Sequence, residues 1–389
     1  HALMADKPSK RTPKHRPETL AARALGWVDA GGAVVPPINP STTYARAPDY
    51  SLIGGRSYSR DDSASYAQPE ALLAALEGGA GAMLFSSGMA ATAAAFQALQ
   101  PGDHVVVQRD LYYGLPKWIS GWAEPWGIKP SFVPTGDIEA IENAVRKGKT
   151  KLVWIETPAN PSWTVTDIAA AAKIAHAAGA KLAVDSTAAT PVLTRPIEHG
   201  ADIVMHSATK FLNGHSDVIA GALVTARDDA YWQRLRYMRQ MGGAVLGPFE
   251  AWLLLRGMRT LHLRVRQQSE NALLIATRFQ RHKKLKAVCY PGLRDAPGHD
   301  VATRQMHGGY GGMLSLRFAG GPKAALKFVS RLDVFVRATS LGGVESLVEH
   351  RGSVEGPEST VPHDLLRVSV GVEHADDLIA DLEQAFAAI

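Results

Sequence analysis

The chain has one cysteine, Cys289, in 389 residues. A lone thiol closes no internal disulfide and builds no Cys-rich zinc site, and it fits a reducing compartment, so a cytoplasmic location is expected. Long apolar runs are also missing. No stretch suits a signal h-region or a membrane span, so neither export by a visible signal nor membrane insertion is expected. A large excess of one charge is absent too: 42 Lys and Arg face 37 Asp and Glu, a formal +5, with a sequence pI near 9.2. Residues 1–16 carry Lys7, Lys10, Arg11, Lys14 and Arg16 against Asp6, a net +4 that leaves +1 for the rest. The basic pI thus belongs to a terminal tail and not to a binding face, and residues 4–30 cannot supply a helix-turn-helix, so no nucleic-acid partner is expected. Rich in proline and almost without apolar residues, the tail is expected to be mobile. The residues before Met4 read as the remnant of an expression tag.

What is present is a conventional core composition, 46% hydrophobic, in a length suited to two or three domains at roughly 100–200 residues each. From about residue 68, short apolar runs alternate with Ala-rich helical stretches: 82–86, 104–108, 151–156, 181–185, 202–207 and 219–225 read as strands, with helices at 88–99 and 167–178. Continuous Val/Ile/Leu runs between amphipathic helices indicate a parallel α/β sheet covered on both faces. The texture changes near 242–258. A long helix over 249–278, strands at 287–290, 311–318 and 365–370, and helices at 322–331 and 374–387 suggest a smaller α+β domain.

Ligands of a parallel sheet sit beyond the carboxyl ends of its strands. Ser87, Gly88 and Met89 follow one strand and open a helix, an arrangement that suits a phosphate but, taken alone, is more often simple capping. Asn160 stands between Pro158 and Pro161 in a stiff loop. Asp185 ends another strand, where it either caps the next helix or holds a proton on a heterocyclic nitrogen. Ser207 and Thr209 come just before Lys210, whose amine loses its proton more readily when desolvated. Together, a lysine, two hydroxyls, a helix N-terminus and an aspartate describe a pyridoxal 5'-phosphate (PLP) site, with Lys210 as Schiff-base nucleophile and Asp185 on the pyridine nitrogen. The histidines His206, His215 and His262 share no metal-ligand spacing, and no metal is expected.

The ordered motifs YSR (58–60), FSSGMAA (85–91), ETPANP (156–161), VDSTAATPV (184–192), HSATKFLNGHSDVIAG (206–221), LLLRGMRTLHLR (253–264), GGMLS (311–315) and SLGGVESL (340–347) resemble the Cys/Met-metabolism family of fold-type I PLP enzymes, which includes cystathionine γ-synthase, cystathionine β- and γ-lyases and methionine γ-lyase. The resemblance covers nearly all of the chain after the tail. It implies a fold-type I PLP-dependent transferase-like α/β fold: a basic tail and arm over 1–60, a PLP-binding domain over 61–247 with a large, mostly parallel sheet, and a C-terminal α+β domain over 248–389. It also implies that Lys210 carries the cofactor and shuttles protons, and that Asp185 and Asn160 hold the ring. Ser87, Gly88, Met89, Ser207 and Thr209 would hold the phosphate. Tyr113 would stack on the ring, with Tyr112 the alternative one residue earlier. Ser340 and Arg367, beside Asn160 and Thr339, would bind the amino-acid substrate, Arg being suited to a carboxylate. Tyr58 and Arg60 would reach a neighbouring subunit's site, making an active homotetramer built from dimers with shared sites.

Two departures bear on the reaction. Position 339 is Thr where transsulfuration γ-enzymes commonly carry an acidic residue, and the run after SLGGVESL holds Glu349, Arg351 and Glu355 where the family often has His-Pro and Thr-His. The resemblance therefore implies a PLP-dependent carbon–sulfur lyase acting on a sulfur amino acid such as cystathionine. The alternatives are γ-replacement on an O-acylhomoserine, as in cystathionine γ-synthase, and γ-elimination from a polar, non-sulfur amino acid.

Overall fold

In the computed structural model, residues 15–356 and 359–389 are described. The mobility expected of residues 4–18 concerns, up to residue 14, residues outside that range; at its end Pro17 and Glu18 open the helix Pro17–Ala22. Seven strands form the larger sheet: β1 (Gly81–Phe85), β2 (His104–Gln108), β3 (Lys129–Val133), β4 (Thr150–Glu156), β5 (Lys181–Asp185), β6 (Ile203–His206) and β7 (Gly221–Thr225), in the order β1-β7-β6-β5-β4-β2-β3. The run β6-β5-β4-β2-β3 is parallel, whereas β7 pairs antiparallel with both β1 and β6. The apolar stretches Val105–Val107, Leu152–Ile155 and Leu182–Val184 are fully buried because helices cover both faces. Met83, Phe96 and Trp154 pack on one face; Leu72, Val204 and Val224 pack on the other.

β3 escaped the pattern reading for a physical reason. It is the edge strand, bonded only to β2 and incompletely buried, so it needs no continuous apolar run and tolerates Pro130.

The second sheet has five strands, β8 (Leu285–Cys289), β9 (Met313–Phe318), β10 (Val336–Arg337), β11 (Leu347–His350) and β12 (Leu365–Ser369), in the order β10-β11-β12-β9-β8. Its core is aromatic, with Phe279, Phe318, Phe328 and Phe386 in one cluster. Among the described residues, no helix is long and apolar enough to cross a membrane.

The long helix expected over 249–278 is two helices, Pro248–Met258 and Leu261–Phe279. At the break, the Gly257 carbonyl accepts from Arg264 Nη2 at 2.8 Å and from the Thr260 N–H at 3.2 Å, not from the Leu261 N–H as an unbroken helix requires. Arg264 also donates to the Phe211 carbonyl at 2.8 Å and, through Nε, to Thr260 Oγ1 at 3.1 Å. Among the described residues this buried guanidinium has only neutral partners, and burial lowers its pKa to about 10. It ties the helix break to the turn that follows Lys210. Arg264→Met leaves buried carbonyls without donors and is expected to lower stability by about 3 kcal/mol, read as a shift in the denaturant midpoint; an unchanged midpoint would show that the clamp contributes nothing.

Candidate active site

The carboxyl ends of β1, β4, β5 and β6 surround a cavity of about 270 Å³. Ser87, Gly88, Met89, Asn160, Asp185, Ser207, Thr209 and Lys210 all line it. Ser87 caps the helix Gly88–Gln97, its Oγ accepting from the Ala90 N–H at 3.0 Å. The helix N-terminus therefore presents N–H groups to the cavity, as an anion requires. Gly88 permits a close approach: a Cβ there would sit 2.9 Å from the Ser207 side chain. The Thr209 hydroxyl bonds the segment entering β7, donating to the Ala220 carbonyl at 3.1 Å and accepting from its N–H at 3.0 Å.

Asp185 is buried, which raises its pKa, while Thr187 opposes that shift with two hydrogen bonds, from its N–H at 3.0 Å and its hydroxyl at 2.6 Å. Both bonds fall on Oδ1. Oδ2 has no protein donor among the described residues, which suits a protonated heterocyclic nitrogen.

Lys210 donates from Nζ to Ser340 Oγ at 2.8 Å. Burial lowers its pKa to about 8, assisted by the positive charges of Arg367 and Arg351 and opposed by Glu349. Ser340 reaches the lysine from a backbone with φ 103°, a conformation unusual for a residue with a Cβ. The anion cradle, the vacant Asp185 oxygen and a lysine that readily becomes neutral fit PLP.

Glu156, given no role by the sequence reading, also lines the cavity. Its Oε1 accepts from the Asn160 N–H and its Oε2 from the Tyr112 N–H, both at 2.8 Å. Burial, together with the neighbouring Asp185, raises its pKa to about 8. Glu156 and Asp185 are register partners at the ends of β4 and β5, so a strand ending in a carboxylate beside another was the available signal.

Tyr112, not Tyr113, lines the cavity. A Cβ at position 114 would lie 2.5 Å from the Tyr112 ring, so Gly114 lets that ring fold back over the turn. Tyr113 points elsewhere, its ring 5.4 Å from the Arg351 guanidinium and 5.1 Å from Lys117 Nζ. The register of this turn is one residue earlier than the expected one.

Arg367 is buried and makes an ion pair with Glu349 at 2.8 Å. It donates to the Ser340 carbonyl at 2.8 Å, with a longer 3.4 Å contact to Asn160 Oδ1. Burial lowers its pKa to about 10 against the pull of Glu349. Thr339 lines a neighbouring cavity with Ser340. The polar run that begins at Glu349 is turned inward: Arg351 pairs with both Glu349 and Glu355, and none of the three lines the main cavity. Tyr58 and Arg60 also lie outside it. Tyr58 is exposed, and Arg60 donates to the Gln240 carbonyl at 2.9 Å.

The profile of the family described as Cys/Met metabolism PLP-dependent enzyme matches residues 18–387. Cystathionine gamma-synthase of Mycobacterium tuberculosis is 45% identical over 362 residues, 92% of each chain. Cystathionine gamma-lyase of Saccharomyces cerevisiae is 43% identical over 381 residues, 94% of this chain and 96% of its own. The crystal structure of metB from Corynebacterium glutamicum superposes with a TM-score of 0.92 at 40% identity, covering 97% of this chain and 99% of that one. With the cavity's geometry, these matches show that the chain belongs to the Cys/Met-metabolism family of PLP-dependent enzymes.

Proposed function

We propose that this enzyme is a carbon–sulfur lyase that eliminates the β- or γ-substituent of a sulfur amino acid, cystathionine being the preferred candidate. PLP, when bound, supplies an electron sink for the negative charge that develops at the substrate Cα. The remaining work falls to this chain's residues. The carrying observation is Lys210: its half-buried amine has, among the described residues, the Ser340 hydroxyl as its hydrogen-bond partner, and burial lowers its pKa to about 8, so that it gives up its proton far more readily than an ordinary lysine. An amine in that state accepts the Cα proton and returns it further along the substrate. Asp185 Oδ2 would hold the pyridine nitrogen protonated, and Asn160 would bond the ring's phenolic oxygen. Ser87, Gly88, Met89, Ser207 and Thr209 would hold the phosphate, and the Tyr112 ring would lie across the cofactor in the role first assigned to Tyr113. Arg367 and Ser340, beside Asn160 and Thr339, would receive the substrate carboxylate.

The identity to cystathionine gamma-synthase favours a second reading, γ-replacement on an O-acylhomoserine. Incubation with cystathionine alone separates the two: pyruvate or 2-oxobutyrate is expected, and the absence of any keto acid would overturn the lyase reading.

A second copy of the chain completes the site in this proposal. The arm carries exposed apolar side chains, among them Val34, Tyr50 and Ile53, which one copy leaves uncovered. Tyr58 and Arg60 would enter the partner's site, Arg60 toward the phosphate, in dimers that pair into a tetramer. The lone Cys289 supports a cytoplasmic enzyme.

Two measurements probe these assignments. Attack on the cofactor carbonyl requires neutral Lys210, so reloading of apoenzyme with PLP is expected to accelerate as pH rises toward about 8 and to level off above it; a pH-independent rate, followed by visible absorbance, would contradict the assignment. Mixing inactive Lys210→Ala with Arg60→Ala under subunit exchange is expected to restore activity in hybrid sites that carry neither lesion. No recovery despite exchange would place Arg60 in its own chain's site.

A further inference from the structure

Glu349 lies on β11 directly opposite Arg367 on β12, the two being register partners of an antiparallel pair. Its Oε2 is shared by two cations, accepting a hydrogen bond from Arg351 Nη1 at 2.5 Å and forming an ion pair with Arg367 Nη2 at 2.8 Å. The side chains of Glu349, Arg351 and Arg367 are 4%, 3% and 5% exposed, so water does little to screen them. Arg351 is held from two further sides, by Glu355 and by the Tyr113 ring 5.4 Å away. It stands in the polar run that departs from the family pattern.

We propose that Arg351 is a positioning residue that, by holding the shared Glu349 oxygen, keeps Arg367 available to the substrate α-carboxylate. The proposal rests on the reading of Arg367 as the carboxylate-binding residue. The physical reason is competition for one guanidinium. Between two buried cations, the Glu349 carboxylate divides its attraction. Without Arg351 its charge falls on Arg367 alone, and an arriving carboxylate must displace a stronger internal partner. Arg367 has room for that second anion, because among the described residues its Nη1 makes only the 3.4 Å contact with Asn160 Oδ1. The Ser340 carbonyl anchors Nη2 at 2.8 Å, so the guanidinium stays in place while its partner changes. Arg351 thereby acts on amino-acid binding and not on the lysine chemistry or cofactor uptake.

The test uses holoenzyme and glycine, an unreactive amino acid whose binding is followed by the cofactor's visible absorbance, with glycine ethyl ester as the probe lacking a carboxylate. Arg351→Met is expected to weaken glycine binding about tenfold, within the range for coupled contacting residues, with ester binding and PLP affinity unchanged. Arg351→Lys, which keeps a charge and serves if the Met variant folds poorly, is expected to fall in between. Adding Glu349→Gln to Arg351→Met removes the competing charge and is expected to bring glycine binding back toward the native value, a recovery that a merely structural role for Arg351 does not produce. Unchanged glycine affinity in both Arg351 variants, equal weakening of the ester, or no recovery in the double variant would overturn the proposal. Arg367→Lys separates the two layers: if it leaves glycine binding intact, the reading of Arg367 fails, and the role of Arg351 with it.

Discussion

Keeping one lysine amine out of water, with a hydroxyl and no carboxylate as its hydrogen-bond partner, is the constraint on which the rest of the site depends. A buried ammonium normally acquires an anion. Around Lys210 the nearest cations, Arg367 and Arg351, instead add to desolvation in releasing the proton. The fold supports this arrangement by bringing the turn after β6 against the loop that carries Ser340, and Arg264 clamps the carbonyls on the far side of that turn. The amine is reactive because the structure withholds its ordinary partner.

The carboxylates obey the same economy of position. Asp185 and Glu156 end neighbouring strands, and each is pushed toward its neutral form by burial. Thr187 opposes that for Asp185 using one oxygen only, which leaves the other oxygen for a ligand. Glu156 spends both oxygens on backbone N–H groups, fixing the loops that bear Tyr112 and Asn160. One acid is therefore set to meet the cofactor and its neighbour to hold the surrounding walls. Beside the second sheet, Glu349 couples two arginines through a single oxygen, so the polar run that begins there is directed into the protein.

Much of this was readable before any coordinates. The fully buried strands announce themselves as apolar runs, and chemistry-bearing residues at their carboxyl ends follow from the sheet's polarity. All eight of the residues assigned to cofactor contact from those strand ends line one cavity. Less legible were features governed by contacts distant in sequence. The break at Thr260 depends on how Arg264 reaches carbonyls of another segment, which no local periodicity encodes. The choice of Tyr112 over Tyr113 turns on which ring folds over Gly114; two adjacent tyrosines are equivalent as text. β3 lacks the apolar signature because an edge strand does not need it.

The sequence by itself determined the cofactor chemistry, because a lysine, an aspartate and a helix-opening Ser-Gly at successive strand ends retain their order whatever the detailed packing. It also carried the family, through long motifs in register along the chain. Tertiary structure decided which groups are charged, paired and available. Glu156 acquires its burial and its donor from Tyr112, and Glu349 its pairing with Arg367, only when separate strands are laid side by side. Proton affinity depends on surroundings supplied by the whole fold, whereas residue identity is already present in the chain.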